Sequence, residues 1–389
     1  MKSPLTIKLF GIRIRSFHFF GILGYILGTV LGIFLCNILN LQPGIILLMT
    51  LIGAATFFAL AFLAKWITGD EQIVYYHHEI AILIFCSITL KILNLPVLNY
   101  MDITILGIAT FLGFGRIGCF SVGCCHGRPS AKGVKYGHQH GEDGFPHYLE
   151  NVTLFPIQLV ESAFVFLVII SGSVMLFQQL PAGSVLIFYT AVYGAFRFLI
   201  EFFRGDAERP YFLGLSEAQW TTLILLAITL ECSAIDLVPF YYWHLIIFIG
   251  LFIISLVTVI ENKKRKSIFT PQHISQIALG LIELDKKIKN SKVDNKINMF
   301  RTDLGFIFSK GQFVNNQSLL THYTISSKIK MQLSLIEVKK LAELISRLRH
   351  HNALFEIKNN SSGIFHILFD EFQISESKSG NKKKHANIF

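Results

Sequence analysis

The chain has 389 residues, of which 52% are hydrophobic and 15% are charged, and its mean hydropathy is +0.53. Soluble domains carry about 25% charged residues, so this composition excludes an ordinary soluble enzyme, and its hydrophobicity excludes a disordered chain. Residues 1–260 hold 13 Lys and Arg against 14 Asp and Glu, whereas residues 261–389 hold 22 against 11. We therefore predict an apolar membrane domain (1–260), a basic soluble α+β domain (261–374) and a disordered tail (375–389).

Apolar windows long enough to cross a bilayer recur through the membrane domain. They lie at about 19–39, 44–64, 79–95, 103–121, 157–179, 183–203, 218–235 and 240–260. Lys91 interrupts the third window and Glu231 the seventh, so we predict an all-α polytopic bundle of seven transmembrane helices and leave eight open. The first window is too long for a signal peptide and lacks a small-x-small cleavage pattern, so we expect a retained first span.

Polar residues of this domain gather in the amino-terminal arm and in segments 69–79, 116–161 and 193–217, whereas the other connections are short and nearly uncharged. If the spans alternate, these four places share one membrane face. Such one-sided clustering indicates a functional site, and the alternative is a solvated loop face. The basic arm and the run Lys263–Lys266 would put this face in the cytoplasm by the positive-inside rule.

The composition changes after Lys266. Helical periodicity spans 271–290 and 333–349, and the alternating stretches 318–326, 353–358 and 363–369 predict strands, the last two joined by a turn at 359–363. A basic soluble segment suits an anionic lipid surface and, less well, nucleic acid.

The segment Gly115–Pro129 is the most informative in the chain. Arg116 stands at the end of an apolar helix, where an arginine is costly unless it snorkels or pairs with an anion. Glycines at 115, 118, 123 and 127 permit close backbone approach, and backbone amides in such a turn can hold an anion. The segment predicts phosphate recognition, and the alternative is an interfacial anchor followed by a glycine-rich turn.

Two further segments carry polar residues at helical spacing. Tyr193, Arg197, Glu201 and Arg204 share one face of an otherwise aromatic and aliphatic helix, where Arg197 and Glu201 can neutralise each other. We interpret this stripe as the wall of a lipid-headgroup site, and a structural ion pair is the alternative. Gln158 and Glu161 are neighbours on a third helix, and a buried Glu161 would need one of these arginines as its partner; the alternative is a role in starting that helix.

Histidines and cysteines raise two other possibilities. The segment Tyr75–Glu79 contains His77 and His78, and a histidine at a membrane boundary can act as a general base. The possible metal ligands are Cys119, Cys124, Cys125, His126, His138 and His140, but metal ligation is disfavoured, because the spacing of Cys124-Cys125-His126 is not that of usual zinc sites. We predict no metal and expect these cysteines to be small residues lining a turn.

The membrane domain, from about Phe17 to Leu230, resembles the prolipoprotein diacylglyceryl transferase family. The resemblance rests on the order and spacing of five motifs. These are the segment 115–129, Gly133-Val134, Pro156-x-Gln158-x-x-Glu161, Tyr193-x-x-x-Arg197-x-x-x-Glu201-Phe202-x-Arg204, and Leu215-Ser216-x-x-Gln219-Trp220. The resemblance implies a multi-pass enzyme of the bacterial inner membrane with its site on the periplasmic face. This orientation conflicts with the positive-inside rule, but the rule is weakly informative here because these loops carry few charges.

The family moves the diacylglyceryl group of phosphatidylglycerol to the lipobox cysteine thiol of a prolipoprotein, with no metal or nucleotide. Carried over by position, the resemblance implies that Arg116 and Arg197 hold the phosphate, that Glu201 orients Arg197, that Tyr193 contributes a hydroxyl, and that His77 is the base. We place Gly118, Cys119, Gly127, Gln158, Glu161 and Arg204 among the substrate-binding residues. The expected partners are phosphatidylglycerol, lipobox signal peptides and membrane lipids, without nucleic acid.

The sequence departs from the family pattern at several positions. His78-Glu79 follows His77 where the family has glycines, Phe20 stands for a tyrosine, and Cys119 stands where many members have asparagine. The alternatives to the transferase are therefore an enzyme with another acceptor, or a catalytically silent lipid-binding protein whose basic carboxyl-terminal domain carries the function.

Overall fold

The computed structural model describes residues 4–9, 11–69, 74–264, 267–290, 298–315, 318–327, 333–350, 353–359 and 363–370. The predicted disordered tail, 375–389, lies outside the described residues, and so does most of the predicted turn at 359–363.

The described residues form twelve α-helices and eleven β-strands. The helices are α1 (Ser16–Ile38), α2 (Pro43–Thr68), α3 (Tyr75–Ile92), α4 (Val97–Val122), α5 (His138–Glu142), α6 (Ile157–Phe177), α7 (Ser184–Phe188), α8 (Gly194–Ile200), α9 (Glu217–Ala234), α10 (Tyr242–Lys264), α11 (Pro271–Asn290) and α12 (Leu335–Arg349). The strands are β1 (Thr6–Leu9), β2 (Ile12–Arg15), β3 (Pro129–Lys135), β4 (Thr153–Leu154), β5 (Tyr211–Phe212), β6 (Leu215–Ser216), β7 (Met299–Arg301), β8 (Phe306–Asn315), β9 (Ser318–Ser327), β10 (Phe355–Asn359) and β11 (Phe365–Asp370).

The membrane domain is a bundle of eight long helices, counted over the described residues. Helix α7, a π-helical turn (Tyr189–Tyr193), α8 and a 3₁₀ turn (Glu201–Phe203) run on as one helix, Ser184–Phe203. Six of the eight, namely α1, α2, α4, α6, Ser184–Phe203 and α10, are long and apolar enough to cross a membrane. Helices α3 and α9 contain the interrupting residues Lys91 and Glu231 and are not among the six. The prediction of a polytopic helical bundle is confirmed.

Helix α4 is the centre of this bundle, and more than half of its best apolar window is buried. It packs against α1, α3, α6 and α7. Its crossing with α1 is close because glycines face it: a Cβ at Gly28 would lie 2.7 Å from the carbonyl oxygen of Gly107. Small residues allow such backbone approach in lipid, where close packing replaces the hydrophobic effect as the force that joins helices.

The eighth helix, α10, returns to the face where the polar segments gather. At its start, the hydroxyl of Tyr241 lies 2.8 Å from that of Ser184, at the opposite end of the bundle. Near its end, Asn262 packs against Gly214, in the connection between the helix Ser184–Phe203 and α9. The amino-terminal arm lies on this face too, because Arg15 forms an ion pair of 2.9 Å with Asp143. Helix α10 therefore ends on the same face as the candidate site.

The carboxyl-terminal segment forms an antiparallel five-stranded sheet in the order β10-β11-β9-β8-β7, with α11 and α12 on one face. Strands β8, β9 and β11 alternate, and Phe308, Tyr323 and Ile367 point into the shared core. The helices predicted at 271–290 and 333–349 and the three predicted strands are confirmed within two residues. Strands β7 and β8 were not predicted, because Lys310, Gly311 and Gln312 interrupt the apolar alternation of β8.

This sheet unit packs on the loops of the membrane domain rather than apart from them. One continuous apolar cluster joins Tyr136 and Leu154 of the loops to Ile277 of α11 and Leu341 of α12. At the edge of the contact, Gln272 Nε2 donates to the carbonyl of Arg209 at 2.7 Å.

Candidate active site

A buried carboxylate joins three membrane helices at the polar face. Glu161, in the first turns of α6, is completely buried. Its Oε2 lies 3.0 Å from Arg116 Nε of α4, and its Oε1 lies 3.6 Å from Arg197 Nε of α8. The hydroxyl of Tyr193 donates to the same Oε1 at 3.0 Å. Removing this carboxylate would leave two buried guanidinium groups without their shared counter-charge.

The network continues from α8 into the following loop. Arg197 forms an ion pair with Glu201, whose Oε1 lies 2.7 Å from Arg209 Nη1. Arg204 grips Asp206 with two hydrogen bonds, of 3.0 and 2.6 Å, and Arg209 Nε donates to the same carboxylate at 2.7 Å. Such bidentate pairs fix the guanidinium planes in orientation as well as in position.

The charge of this ion-pair network is not balanced. Four arginines (116, 197, 204 and 209) face three carboxylates (161, 201 and 206). Arg204 Nη1 is buried and has no hydrogen-bond partner among the described residues. Arg116 Nε contacts Glu161, but the two atoms are not aligned for a hydrogen bond. An unsatisfied buried donor costs about 1–3 kcal/mol, so these groups favour an additional anion, and planar guanidinium groups match a phosphate.

The loop end of the network has a strong electrostatic signature. Burial would raise the pKa of Asp206, but the charges of Arg204 and Arg209 and the hydrogen bonds from Arg204 outweigh it and hold the pKa at about 2. The carboxylate is therefore ionised throughout the neutral range, which keeps both arginines in place.

Tyrosines and a second buried carboxylate adjoin this network on one side. The hydroxyls of Tyr75 and Tyr189 are 2.8 Å apart, and Glu79 is close enough to interact with both. A small cavity of about 40 Å³ opens here between α3, the helix Ser184–Phe203 and α9. It is lined by Tyr76, Glu79, Ile80, Leu83, Tyr189, Thr190, Tyr193, Gly194, Thr222 and Leu225. The π-helical turn at its wall is a feature frequent at functional sites.

The chain after α4 forms a backbone bridge between the elements of the site. Gly205 N–H donates to the carbonyl of His126 at 2.9 Å, and Arg128 N–H donates to that of Phe203 at 3.1 Å. On the other side, Phe155 N–H donates to the carbonyl of Arg128 at 3.0 Å. A Cβ at Gly127 would lie 2.4 Å from the carbonyl oxygen of Phe155. The absence of a side chain at Gly127 is required by this packing, which fixes the ends of α4 and α8 and the start of α6.

Three of the predicted substrate-binding residues also make structural contacts. Gly118 faces α1, and a Cβ there would lie 3.2 Å from the Cα of Phe17. Gln158 Nε2 donates to the carbonyl of Cys124 at 2.8 Å, which ties α6 to the turn after α4. Cys119 is buried beside Cys124.

His77 does not join the buried network. Its side chain is 58% exposed, and its Nε2 lies 2.5 Å from Glu217 at the start of α9. The next residue, His78, is buried, donates from Nδ1 to the carbonyl of Val74 at 2.9 Å, and packs against the ring of Phe57. His77 is thus exposed near the start of α3, with a carboxylate that can orient its ring.

The structure brings together the predicted Arg116, Glu161, Tyr193, Arg197 and Glu201, and Arg204 continues the same network. The site also contains four residues that were not predicted from the sequence, namely Glu79, Tyr189, Asp206 and Arg209. The spacing of four between Tyr75 and Glu79, and between Tyr189 and Tyr193, was a usable signal, because such pairs share a helix face.

Among the described residues, two clusters could hold a metal ion. The thiols of Cys119, Cys124 and Cys125 lie within 4.8 Å of one another, and so do ligand atoms of His138, His147 and Glu150 on the exposed loop around α5.

The fold and the site define a multi-pass membrane protein with a buried cationic site at one face. The family model of prolipoprotein diacylglyceryl transferases matches residues 4–235, and the chain belongs to this family.

Its relatives include phosphatidylglycerol–prolipoprotein diacylglyceryl transferases from two clostridia and a Dehalococcoides. The Clostridium tetani protein is 30% identical over 159 residues, which is 40% of this chain and 59% of the relative. The second enzyme of Clostridium perfringens is 29% identical over 130 residues (33% and 49%), and the Dehalococcoides mccartyi enzyme is 30% identical over 144 residues (37% and 50%). The chain therefore spans about half the length of these curated relatives.

Proposed function

We propose that this protein transfers the diacylglyceryl group of phosphatidylglycerol to the lipobox cysteine thiol of bacterial prolipoproteins. The observation that carries the proposal is the excess of four guanidinium groups over three carboxylates in the ion-pair network, in which buried donors of Arg116 and Arg204 lack aligned partners. A phosphodiester supplies the missing negative charge and accepts hydrogen bonds in the plane of each guanidinium. The matched family and the names of the relatives support this choice of lipid and acceptor.

In the proposed reaction, the substrate thiol loses its proton and attacks the glyceryl carbon that bears the phosphate ester. A carbon–sulfur bond forms, the carbon–oxygen bond breaks, and glycerol phosphate leaves with the bonding electron pair. Arg116 and Arg197 stabilise the charge that develops on the leaving phosphate, a role for which preorganised cations are effective. Glu201 and Glu161 hold Arg197 in orientation, and the hydroxyl of Tyr193, which donates to Glu161 in the structure, would turn to donate to the phosphate when the lipid binds.

His77 is the proposed base for the thiol proton. Its exposed position against Glu217 suits a proton transfer to a group that solvent can reach, and the carboxylate would stabilise the imidazolium that forms. The nucleophile belongs to the substrate, so the enzyme needs no catalytic cysteine or serine of its own. We place the protein in the bacterial inner membrane with this face toward the periplasm, on the strength of the family.

The test is transfer to a lipobox peptide by the full chain reconstituted in phosphatidylglycerol vesicles. We expect Arg116→Lys to lose activity at least 100-fold at equal protein level, because lysine keeps the charge but not the planar fork. Arg15→Lys is the matched control, since Arg15 is an exposed ion-pair partner on the same face and should tolerate the change. The proposal would be refuted if Arg116→Lys kept full activity, or if the folded parent protein formed no thioether product.

A further inference from the structure

Three thiols converge where α4 ends. Cys119 lies in the last turn of α4 and is buried, Cys125 is half-buried and Cys124 is exposed. Their sulfur atoms lie within 4.8 Å of one another. The three other cysteines of the chain, at positions 36, 86 and 232, lie in membrane helices away from this cluster.

The backbone that gathers these thiols is held in an unusual conformation. Gly123 (φ +83°) ends α4 in the left-handed region, and Cys125 adopts a φ of +54°, which costs a residue with a side chain about 1–2 kcal/mol. A Cβ at Gly123 would meet the rings of Phe145 and Tyr136 at 3.0 and 3.2 Å. The turn is thus held by contacts with Phe145 and Tyr136 and by the hydrogen bond from Gln158. Its two left-handed residues bring together three thiols that are close in sequence.

Two buried arginines, Arg116 and Arg204, lie close enough to the thiol of Cys125 for their positive charges to act on it. The thiolate is the form of cysteine that binds metal ions. The exposure of Cys124 leaves one side of the cluster open to solvent.

We propose that Cys119, Cys124 and Cys125 form a binding site for one thiophilic metal ion, Zn²⁺ or Cu⁺. Three thiolates at about 2.3 Å from a metal stand about 3.8–4.0 Å apart, so the observed arrangement needs only small side-chain rotations. Soft thiolate ligands select these ions, and each thiol releases its proton on binding. A three-cysteine set leaves a position on Zn²⁺ for water and is complete for trigonal Cu⁺.

This site adjoins the proposed transfer site, since Cys119 is also a predicted substrate-binding residue, but no thiol of the cluster takes part in the proposed transfer step. The metal would fix the turn between Arg116 and the backbone bridge at Gly127, and no reaction step passes through it. The cysteines lack the paired C-x₂₋₄-C spacing of zinc fingers, which is why no metal was predicted from the sequence; in the proposed site, the left-handed turn at Gly123 and Cys125 takes the place of that spacing.

The test is metal binding by the purified full chain in detergent, titrated without oxygen with Zn²⁺ and, separately, with Cu⁺. We expect about one ion per chain for one of the two metals, and thiolate-to-metal charge-transfer absorption after substitution with Co²⁺. Cys124→Ser should weaken binding at least 100-fold, and the triple serine variant of positions 119, 124 and 125 should abolish it.

The matched control replaces the other three cysteines, Cys36, Cys86 and Cys232, by alanine and should bind as the parent does. Cys124→Ser changes an exposed side chain, so its folding can be verified by its melting temperature even if the triple variant is unstable. Binding of neither metal, equal binding by Cys124→Ser, or loss of binding in the control variant would overturn the proposal.

Discussion

Glu161→Gln is the sharpest test of the buried network, because it removes one charge and almost no volume. The amide oxygen can still accept from Tyr193, but Arg116 and Arg197 lose the carboxylate at 3.0 and 3.6 Å. At an effective dielectric constant of about 20, each such pair contributes roughly 5 kcal/mol before desolvation is subtracted. Removal of one partner from a buried pair costs about 3–5 kcal/mol, and we expect this loss in the free energy of unfolding.

Glu161→Gln also makes the network more cationic, so an anionic lipid should stabilise the variant more than the parent. A purely structural ion pair would not give this effect. Added phosphatidylglycerol should raise the melting temperature of Glu161→Gln more than that of the parent, because its phosphate replaces the missing charge, whereas zwitterionic phosphatidylethanolamine should not. The control is Glu283→Gln, whose exposed pair with Lys287 is worth less than about 1 kcal/mol. The prediction fails if Glu161→Gln has the same melting temperature as Glu283→Gln, or if the two lipids raise the melting temperature of Glu161→Gln equally.

Three other changes test the site and the sheet unit. Gly205→Ala should prevent folding of the polar face, as judged by protease resistance, because its Cβ would lie 2.4 Å from the carbonyl oxygen of Gly127; Gly250→Ala, with open space, should not. Asp206 has a depressed pKa of about 2, which adds about 2 kcal/mol to the free energy of unfolding. This stabilisation is complete above pH 4 and is lost as the pH falls toward 2, so the denaturation midpoints of Asp206→Asn should lack this step. Burial lowers the pKa of His273, so the sheet unit should lose stability as the pH falls below about 6.5 and through the lower folded pKa, and His273→Asn should show a smaller loss.

The bundle was predictable because each membrane helix is specified by its own residues. Length and apolarity define α1, α2, α4, α6 and α10 without reference to the rest of the chain. The polar stripe Tyr193, Arg197 and Glu201 was equally local, since four-residue spacing fixes a common face.

The sequence could not predict the contacts of the site between residues that are far apart in the chain. Asp206 and Arg209 lie in a loop whose path depends on the backbone bridge to His126 and Arg128, a contact across about eighty residues. The exposed position of His77 depends on Glu217, which belongs to a helix that starts 140 residues later. No periodicity carries such information, because both contacts are made by elements that are brought together only by the packed bundle.

The placement of the sheet unit follows from the even number of long helices in the bundle. With α10 as an eighth helix, the chain returns to the face on which it began, so the unit meets the loops of the site. Counting charges could not decide this, because α10 ends in a basic run whichever side it faces. The physical reason that the unit stays there is apolar: Ile277 and Leu341 belong to the same buried cluster as Tyr136 and Leu154, and separating them would expose that cluster to water. The loops that carry Arg128 and the cysteine turn are therefore supported from both sides, by the bundle beneath and by the sheet unit above.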